Sequence, residues 1–220
     1  MYLFIYRSYL MSLVIGIVSP KGGSGKTTTA VHLARSIQKT GDRVAILDTD
    51  TQGSSLAWQS KHKDGGLVPV HPANTDDVAG ALSRVQDSAD VIVIDGAAKI
   101  EARTGRIVDV SDVVLIPVQP TPLDSWGVEG VVEAVRQSGT PAAFLITQQK
   151  PRTNLAKEVA QGLAETYELP VLDSRIAHRV AYAEALFDGR TALDLPNATK
   201  AKQEIRALTT ELQQFIREYV

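Results

Sequence analysis

LVIGIVSPKGGSGKTT, residues 13–28, is the segment that decides the fold of this chain. Its first six residues are apolar and mostly β-branched, which predicts a buried strand. The glycines that follow let a loop wrap a polyphosphate with its backbone N–H groups. A helix is predicted from Lys26 to Thr40, and its N-terminal end carries partial positive charge. A strand, a glycine-rich loop and a helix in this order predict a nucleotide site.

Each residue type in this loop has a predicted task. Lys26 is expected to reach the β- and γ-phosphates of ATP, and the Thr27 hydroxyl is expected to bind Mg²⁺. The usual pattern G-x-x-x-x-G-K-[ST] begins with glycine, but this chain has Pro20 there, followed by a second lysine. The predicted nucleotide-binding set is Lys21, Gly22, Gly23, Ser24, Gly25, Lys26, Thr27 and Thr28.

The same alternation of strand and helix continues along the chain. Apolar runs of strand length recur at residues 43–48, 91–95, 113–118, 142–147 and 169–174. Helical patterns lie between these runs at 54–61, 124–137 and 154–167, and after the last run at 200–218. Near-continuous apolar runs are typical of strands buried on both faces. We therefore predict an α/β fold of the P-loop NTPase type, a doubly wound and mostly parallel sheet with helices on both faces.

Acidic residues follow two of these strands, where an α/β sheet binds its ligands. The first strand, RVAILD, ends in Asp48-Thr49-Asp50-Thr51-Gln52-Gly53. Carboxylates two residues apart point the same way, so Asp48 and Asp50 can both face the phosphates. The run VIVID ends in Asp95, where an acid can hold Mg²⁺ through water. The predicted metal set is Thr27, Asp48 and Asp95.

The loop K-G-G-x-G-K-[ST] resembles that of the ParA/MinD family of deviant-Walker ATPases, and D-x-D-x-Q-G is also a pattern of that family. The resemblance implies that Lys21 crosses a dimer interface to the partner's ATP. It implies that Asp50 orients the attacking water and that Asp48 supports the Mg²⁺ and P-loop region. Lys21, Lys26 and Asp50 are thus the predicted catalytic residues.

The chain also looks like the smaller, plasmid-type ParA proteins often called ParF, in its proline-rich segment 116–124 and in segments 176–182 and 188–190. This resemblance implies an ATP-driven homodimer that binds DNA without sequence preference and partitions it. Hydrolysis would be stimulated by a small centromere-binding adaptor of the ParB or ParG type. The expected location is cytoplasmic and nucleoid-associated. The candidates for DNA binding are Arg175, Arg179 and Lys202.

Composition excludes several other classes of protein. With no cysteine, the chain cannot build an iron–sulfur cluster, a thiolate zinc finger or a disulfide. The missing cluster cysteines exclude the nitrogenase-iron-protein branch of this superfamily. A formal net charge of -2 means that DNA binding needs a local cationic patch. Two alternatives stay open: a MinD-like ATPase that cycles on membranes, and a metabolic P-loop ligase.

The N-terminal stretch is apolar, but Arg7 interrupts it, and it falls short of the ~18 residues of a spanning helix. We expect neither a transmembrane anchor nor a cleaved signal there. Met11 is a candidate start, which would make residues 1–10 an N-terminal extension; an ordered extra strand or arm is the alternative. Residues 11–220 are predicted to form one P-loop ATPase domain.

Overall fold

The computed structural model describes residues 12–63, 67–97, 101–150 and 154–220. The predictions for residues 1–10 and Met11 lie outside these ranges. Within them, seven strands form one sheet in the order β3-β2-β4-β1-β5-β6-β7, and every neighbouring pair is parallel. The strands are β1 (Leu13–Ile17), β2 (Val44–Asp48), β3 (Val70–Pro72), β4 (Val91–Asp95), β5 (Val113–Val118), β6 (Ala142–Gln149) and β7 (Val171–Ala177).

Helices cover both faces of this sheet. Cores of buried side chains join α1, α2, α8 and α9 to one face and α3, α4, α6 and α7 to the other. The described α-helices are α1 (Lys26–Gln38), α2 (Ser54–Lys61), α3 (Val78–Val85), α4 (Glu101–Asp109), α5 (Pro122–Trp126), α6 (Glu129–Ser138), α7 (Leu155–Tyr167), α8 (Val180–Phe187) and α9 (Thr199–Tyr219).

Strand β1 shows why its sequence reads as a continuous apolar run. Ile15 and Ile17 pack in the core under α1 and α9, whereas Val14 packs in the core under α4 and α7. Successive side chains point to opposite faces of a strand, so a strand covered on both faces needs apolar residues at every position. The doubly wound prediction is confirmed.

Several predicted elements differ from the structure. The helix predicted at 124–137 is two helices, because α5 ends at Trp126 and α6 begins at Glu129 after Gly127. The strand predicted at 169–174 is displaced to Val171–Ala177. Pro170 has no N–H to donate and contributes only its carbonyl, which accepts from the Phe144 N–H. Strand β3, which has three residues, and helices α3, α4 and α8 were not predicted.

Helix α1 is held in place by polar contacts as well as by its apolar side. The buried His32 ring accepts from the Ala192 N–H at Nε2, so its Nδ1 carries the proton and donates to the Thr28 carbonyl, 2.8 Å away. Burial lowers the pKa of His32 to about 4. Arg35, one turn further on, donates from Nη2 to Asp194 at 2.8 Å. The segment before α9 is therefore tied to the helix that follows the glycine-rich loop.

We predict that Asp194→Asn destabilises the fold. Burial acts to raise the pKa of Asp194, but hydrogen bonds from Arg35, Thr191 and Lys39 outweigh it and lower this pKa from 3.8 to about 2. Such a shift corresponds to about 2 kcal/mol of stability. Because the folded-state pKa is the lower one, this stability is present above about pH 4 and is lost as the pH falls through about 2.

Urea unfolding at a series of pH values measures this effect. The free energy of unfolding of Asp194→Asn should fall below that of the unaltered chain at pH 7, and the gap should narrow below pH 4. Asp188→Asn is the matched control, because its ion pair with Arg190 is exposed and long, at 3.5 Å. Equal stabilities at pH 7 for Asp194→Asn and the unaltered chain would contradict the prediction.

Candidate nucleotide site

The carboxyl ends of the central strands bring the predicted site residues together. In the register of the sheet, Asp48 lies opposite Asp95, and Asp95 lies opposite Ile17, the last residue of β1. The strand order also reverses here, since β1 lies between β4 and β5. A crevice at such a reversal is the usual ligand site of a doubly wound sheet.

The glycine-rich loop is held by side chains from two neighbouring strands. Gly23 and Gly25 have φ values of +79° and +93°, a conformation that side-chain-bearing residues rarely adopt. Gln119 and Gln148 both donate to the Gly23 carbonyl, at 2.7 and 2.6 Å. Thr147 donates to the Ser24 carbonyl at 2.7 Å. These hydrogen bonds fix the carbonyls of Gly23 and Ser24, and the N–H groups of such a glycine-rich loop are the groups that bind an anion.

Neither glutamine was predicted to hold the loop. By their position at the end of the apolar run AAFLIT, Thr147 and Gln148 are also placed for contacts with an adenine ring. In the structure their side chains donate to the carbonyls of Ser24 and Gly23. Gln119 lies directly after β5, and only its position at a strand end could have identified it.

Lys26 is the buried lysine of the loop. It is 7% exposed, and its Nζ donates to the Lys21 carbonyl at 3.0 Å. Burial lowers the pKa of Lys26, while the negative charges of Asp95 and Asp50 act in the opposite direction. A desolvated ammonium with one hydrogen-bond partner in its own loop is ready to receive phosphate oxygens.

The Asp48 carboxylate organises the loop that carries Asp50. Its Oδ1 accepts from the Asp50 N–H at 3.1 Å, and its Oδ2 accepts from the Leu56 N–H at 3.0 Å. Burial raises the pKa of Asp48, and these backbone hydrogen bonds oppose the rise. Asp50 is half-buried and accepts from the Gln52 N–H at 2.9 Å. The two acids thus lie in one turn between β2 and α2.

Asp95 is buried between two hydroxyl donors. Ser55 donates to its Oδ2 at 2.7 Å, and Thr27 also hydrogen-bonds to it. Burial raises the pKa of Asp95 to about 7, although both hydroxyls act to lower it. Ser55 was missed by the sequence analysis, because a serine in the first turn of a helix is read as a helix start.

The residues around Asp95 fit a magnesium ion. The second oxygen of Asp95, Oδ1, is buried and has no hydrogen-bond partner within the described structure. No three His, Cys, Asp or Glu side chains cluster as a metal site in the described ranges. Mg²⁺ is usually held by one or two carboxylates with phosphates and waters, so Thr27 and Asp95 are a sufficient oxygen set.

Lys21 lies outside this pocket, against Asp124. Its Nζ is 2.7 Å from Asp124 Oδ2; the lysine side chain is 47% exposed and the aspartate side chain 2%. Thr121 also donates to Asp124 Oδ2. Asp124 was not predicted to have this role, although Thr121 and Pro122 mark a helix start there. The loop therefore carries one buried and one exposed lysine.

The predicted DNA-binding residues lie at the opposite edge of the sheet from β3, on or near β7 and α9. Arg175 is half-buried and donates to the Ser174 carbonyl at 3.0 Å. Arg179 is ion-paired with Glu204. Lys202 is half-buried in the first turn of α9. In the described part of the chain, no helix is long and apolar enough to cross a membrane.

A family model described as the CobQ/CobB/MinD/ParA nucleotide binding domain matches residues 15–192. The chain belongs to this family. The match begins in β1 and ends after α8, so it contains the glycine-rich loop, both acidic strand ends and the Lys21 partner Asp124. A nucleotide-binding domain of the ParA/MinD type is thereby established, as the deviant loop predicted.

Among similar proteins of this family, maintenance of carboxysome distribution protein A of Halothiobacillus neapolitanus is 28% identical over 211 residues, 91% of this chain and 96% of that protein. The chromosome-partitioning ATPase Soj of Thermus thermophilus is 25% identical over 240 residues, 93% of this chain and 96% of Soj. The Pyrococcus horikoshii septum site-determining protein MinD, solved with Mg-ADP, has a TM-score of 0.74 at 18% identity and covers 96% of this chain and 99% of its own. At that identity the structural likeness supports the fold alone.

We predict that Lys26→Ala weakens nucleotide binding on the order of hundredfold, because a buried charge would be lost opposite the phosphates. Titration with a fluorescent ATP analogue measures the dissociation constant. Lys157→Ala, which removes an exposed lysine from α7, is the control and should bind like the unaltered chain. Binding by Lys26→Ala within a few-fold of that control would contradict the role of Lys26.

Proposed function

We propose that this chain is a partitioning ATPase that binds ATP and Mg²⁺, dimerises with ATP bound, and binds DNA without sequence preference. Hydrolysis returns it to the monomer and is stimulated by a small centromere-binding adaptor protein. The observation that carries the proposal is the pair of lysines in one phosphate loop. Lys26 is buried beside the acids, and Lys21 is exposed at the rim. A nucleotide bound within one protomer would contact Lys26 of that protomer. A nucleotide at a dimer interface would also contact Lys21 of the other protomer.

The geometry suggests a role for each residue in hydrolysis. Lys26 would offset charge on the β- and γ-phosphates, and Thr27 and Asp95 would hold Mg²⁺. Magnesium, when bound, neutralises charge on phosphate oxygens. Asp48 fixes the turn through the N–H groups of Asp50 and Leu56, and Asp50 would orient the attacking water from that turn. Positioning and charge are the main requirements of phosphoryl transfer.

The cargo has two candidates. The ParF-like segments favour a plasmid, held through a ParB- or ParG-type adaptor. Two relatives named for the maintenance of carboxysome distribution, from Halothiobacillus neapolitanus and Gloeobacter kilaueensis, favour the carboxysome as the cargo. Under this proposal either cargo would be served by the same ATP-dependent DNA binding, in the cytoplasm and at the nucleoid, and the adaptor protein would differ.

We predict that Asp50→Ala separates binding from turnover. Without a group to orient water, hydrolysis should fall by orders of magnitude, while nucleotide binding and the dimer persist. Duplex DNA binding is measured by fluorescence anisotropy at low salt, with ATP and with ADP. Asp50→Ala should bind DNA with ATP and much less with ADP. DNA binding by Lys26→Ala, the control, should change with neither nucleotide.

The same preparations test the alternatives. If Asp50→Ala with ATP does not bind duplex DNA at low salt, the partitioning proposal is wrong. ATP-dependent pelleting with anionic vesicles, without DNA binding, would instead favour the MinD-like membrane cycle. Turnover that depends on a small-molecule acceptor would favour a metabolic ligase.

Lys21 must leave Asp124 before it can contact a partner's nucleotide, so this ion pair opposes dimerisation. Asp124→Asn removes the competing charge and should lower the concentration needed for ATP-dependent dimerisation by roughly two- to fivefold, the value of a partly exposed pair. Lys21→Ala should weaken the dimer. Analytical ultracentrifugation with a non-hydrolysable ATP analogue measures both, and unchanged dimerisation of the two variants would rule out a trans role for Lys21.

A further inference from the structure

Glu204 is the most heavily bonded carboxylate near the proposed DNA surface. It lies in the second turn of α9, and its side chain is 17% exposed. Its Oε1 accepts from Arg179 Nε at 2.9 Å and also from Arg179 Nη2. Its Oε2 accepts from the Tyr182 hydroxyl at 2.8 Å and from the Ala177 N–H at 3.3 Å. The guanidinium thus makes a two-nitrogen contact with this carboxylate.

This ion pair occupies the groups with which Arg179 would bind phosphate. Arginine binds carboxylate and phosphate with the same planar fork of N–H donors. Two of those donors already face Glu204, and the Arg179 side chain is 26% exposed. A DNA phosphate, which is negative like the Glu204 carboxylate, would therefore have to compete with Glu204 for the Arg179 guanidinium.

Glu211, two turns further along α9, provides a comparison. Its oxygens accept from the Asp173 and Ser174 N–H groups at 2.5 and 2.7 Å, which tie α9 to the edge strand β7. Glu204 does the same for the Ala177 N–H. Both glutamates hold the helix to the strand, and Glu204 adds the contact with a guanidinium.

We propose that Glu204 suppresses DNA binding by holding Arg179, and that the dimer binds DNA fully only when phosphate replaces Glu204 as the partner of this arginine. The inference rests on the proposed DNA-binding function. It makes Glu204 the residue that sets the effective charge of this surface in a chain of formal net charge -2.

The surroundings of the pair connect it with the nucleotide site. Tyr182, which also donates to Glu204, packs edge-on against His32, with ring centroids 5.0 Å apart and planes at 85°. His32 donates to the carbonyl of Thr28 in the first turn of α1. The ion pair therefore lies one aromatic contact away from the helix that begins at the phosphate loop.

The test is Glu204→Gln, which keeps an acceptor for the Ala177 N–H but removes the charge. Binding to a duplex of fixed length is measured against salt with a non-hydrolysable ATP analogue. Each additional phosphate contact steepens the slope of log affinity against log salt by about 1. The dimer frees two copies of Arg179, so its slope should be steeper by about 2. Glu211→Gln, which also removes one α9 charge, should leave the slope unchanged.

Two further variants make the result specific to Arg179. The double variant Arg179→Ala with Glu204→Gln should lose the gain. Arg179→Lys keeps the charge without the planar fork, so it should also steepen the slope, and it tests the proposal even if Glu204→Gln folds poorly. Melting temperature and ATP-analogue binding are checked for every variant.

Each outcome decides between the two claims. If the unaltered dimer binds DNA but Glu204→Gln and Arg179→Lys leave the slope unchanged or lower it, the inference is wrong and the proposed function stands. An equal gain in Glu211→Gln would mean a general charge effect and would also overturn the inference. If neither the unaltered chain nor any variant binds duplex DNA in the presence of the ATP analogue, the proposed function is wrong.

Discussion

Burial of opposite charges at one edge of the sheet is the constraint on which the rest of the structure depends. Lys26, Asp48 and Asp95 are each at most 7% exposed, and a buried charge without partners would cost several kcal/mol. Each one is therefore held by a neighbour from another segment or from a nearby turn, and these hydrogen bonds fix the loops after β1, β2 and β4 relative to one another. Helices α1 and α2 begin where two of those loops end. The polar groups of these three loops are thus held in fixed positions, as electrostatic catalysis requires.

Much of this arrangement could be predicted because it follows from patterns within short stretches of the sequence. A run such as VIVID predicts a strand buried on both faces, and the loop from Pro20 to Thr28 predicts its own ligand. Contacts between distant segments leave no such local pattern. Ser55 meets Asp95 across 40 residues, and Lys21 meets Asp124 across 103. The short strand β3 also escaped prediction, since three residues, Val70–Pro72, are too few to show a period.

The two lysines of the phosphate loop show how a few residues divide two tasks between them. Lys26 begins α1 and is enclosed by the sheet edge, so its surroundings are set by the fold. Lys21 is exposed and paired with an acid from a neighbouring helix start, so its surroundings can change without disturbing the core. Glu204 and Arg179 repeat this design at the β7 edge, where a partly exposed cation is paired with an internal carboxylate. In both places a cation that could meet a phosphate is already paired within the chain.

The position of β1 at the centre of the sheet also affects how the chain is made. This strand comes first in the described chain, yet its neighbours are β4 and β5: Leu13 pairs with Val91, and Ile15 with Val113. At a synthesis rate of roughly 5–20 residues per second, the first strand waits on the order of ten seconds for its partners. During that interval its apolar side chains have no sheet to join, and pairing over such sequence distances is slow. These side chains can therefore join a sheet only after β5 has left the ribosome, and the phosphate loop, which is held by Gln119, Thr147 and Gln148, can take its shape only after β6 has followed.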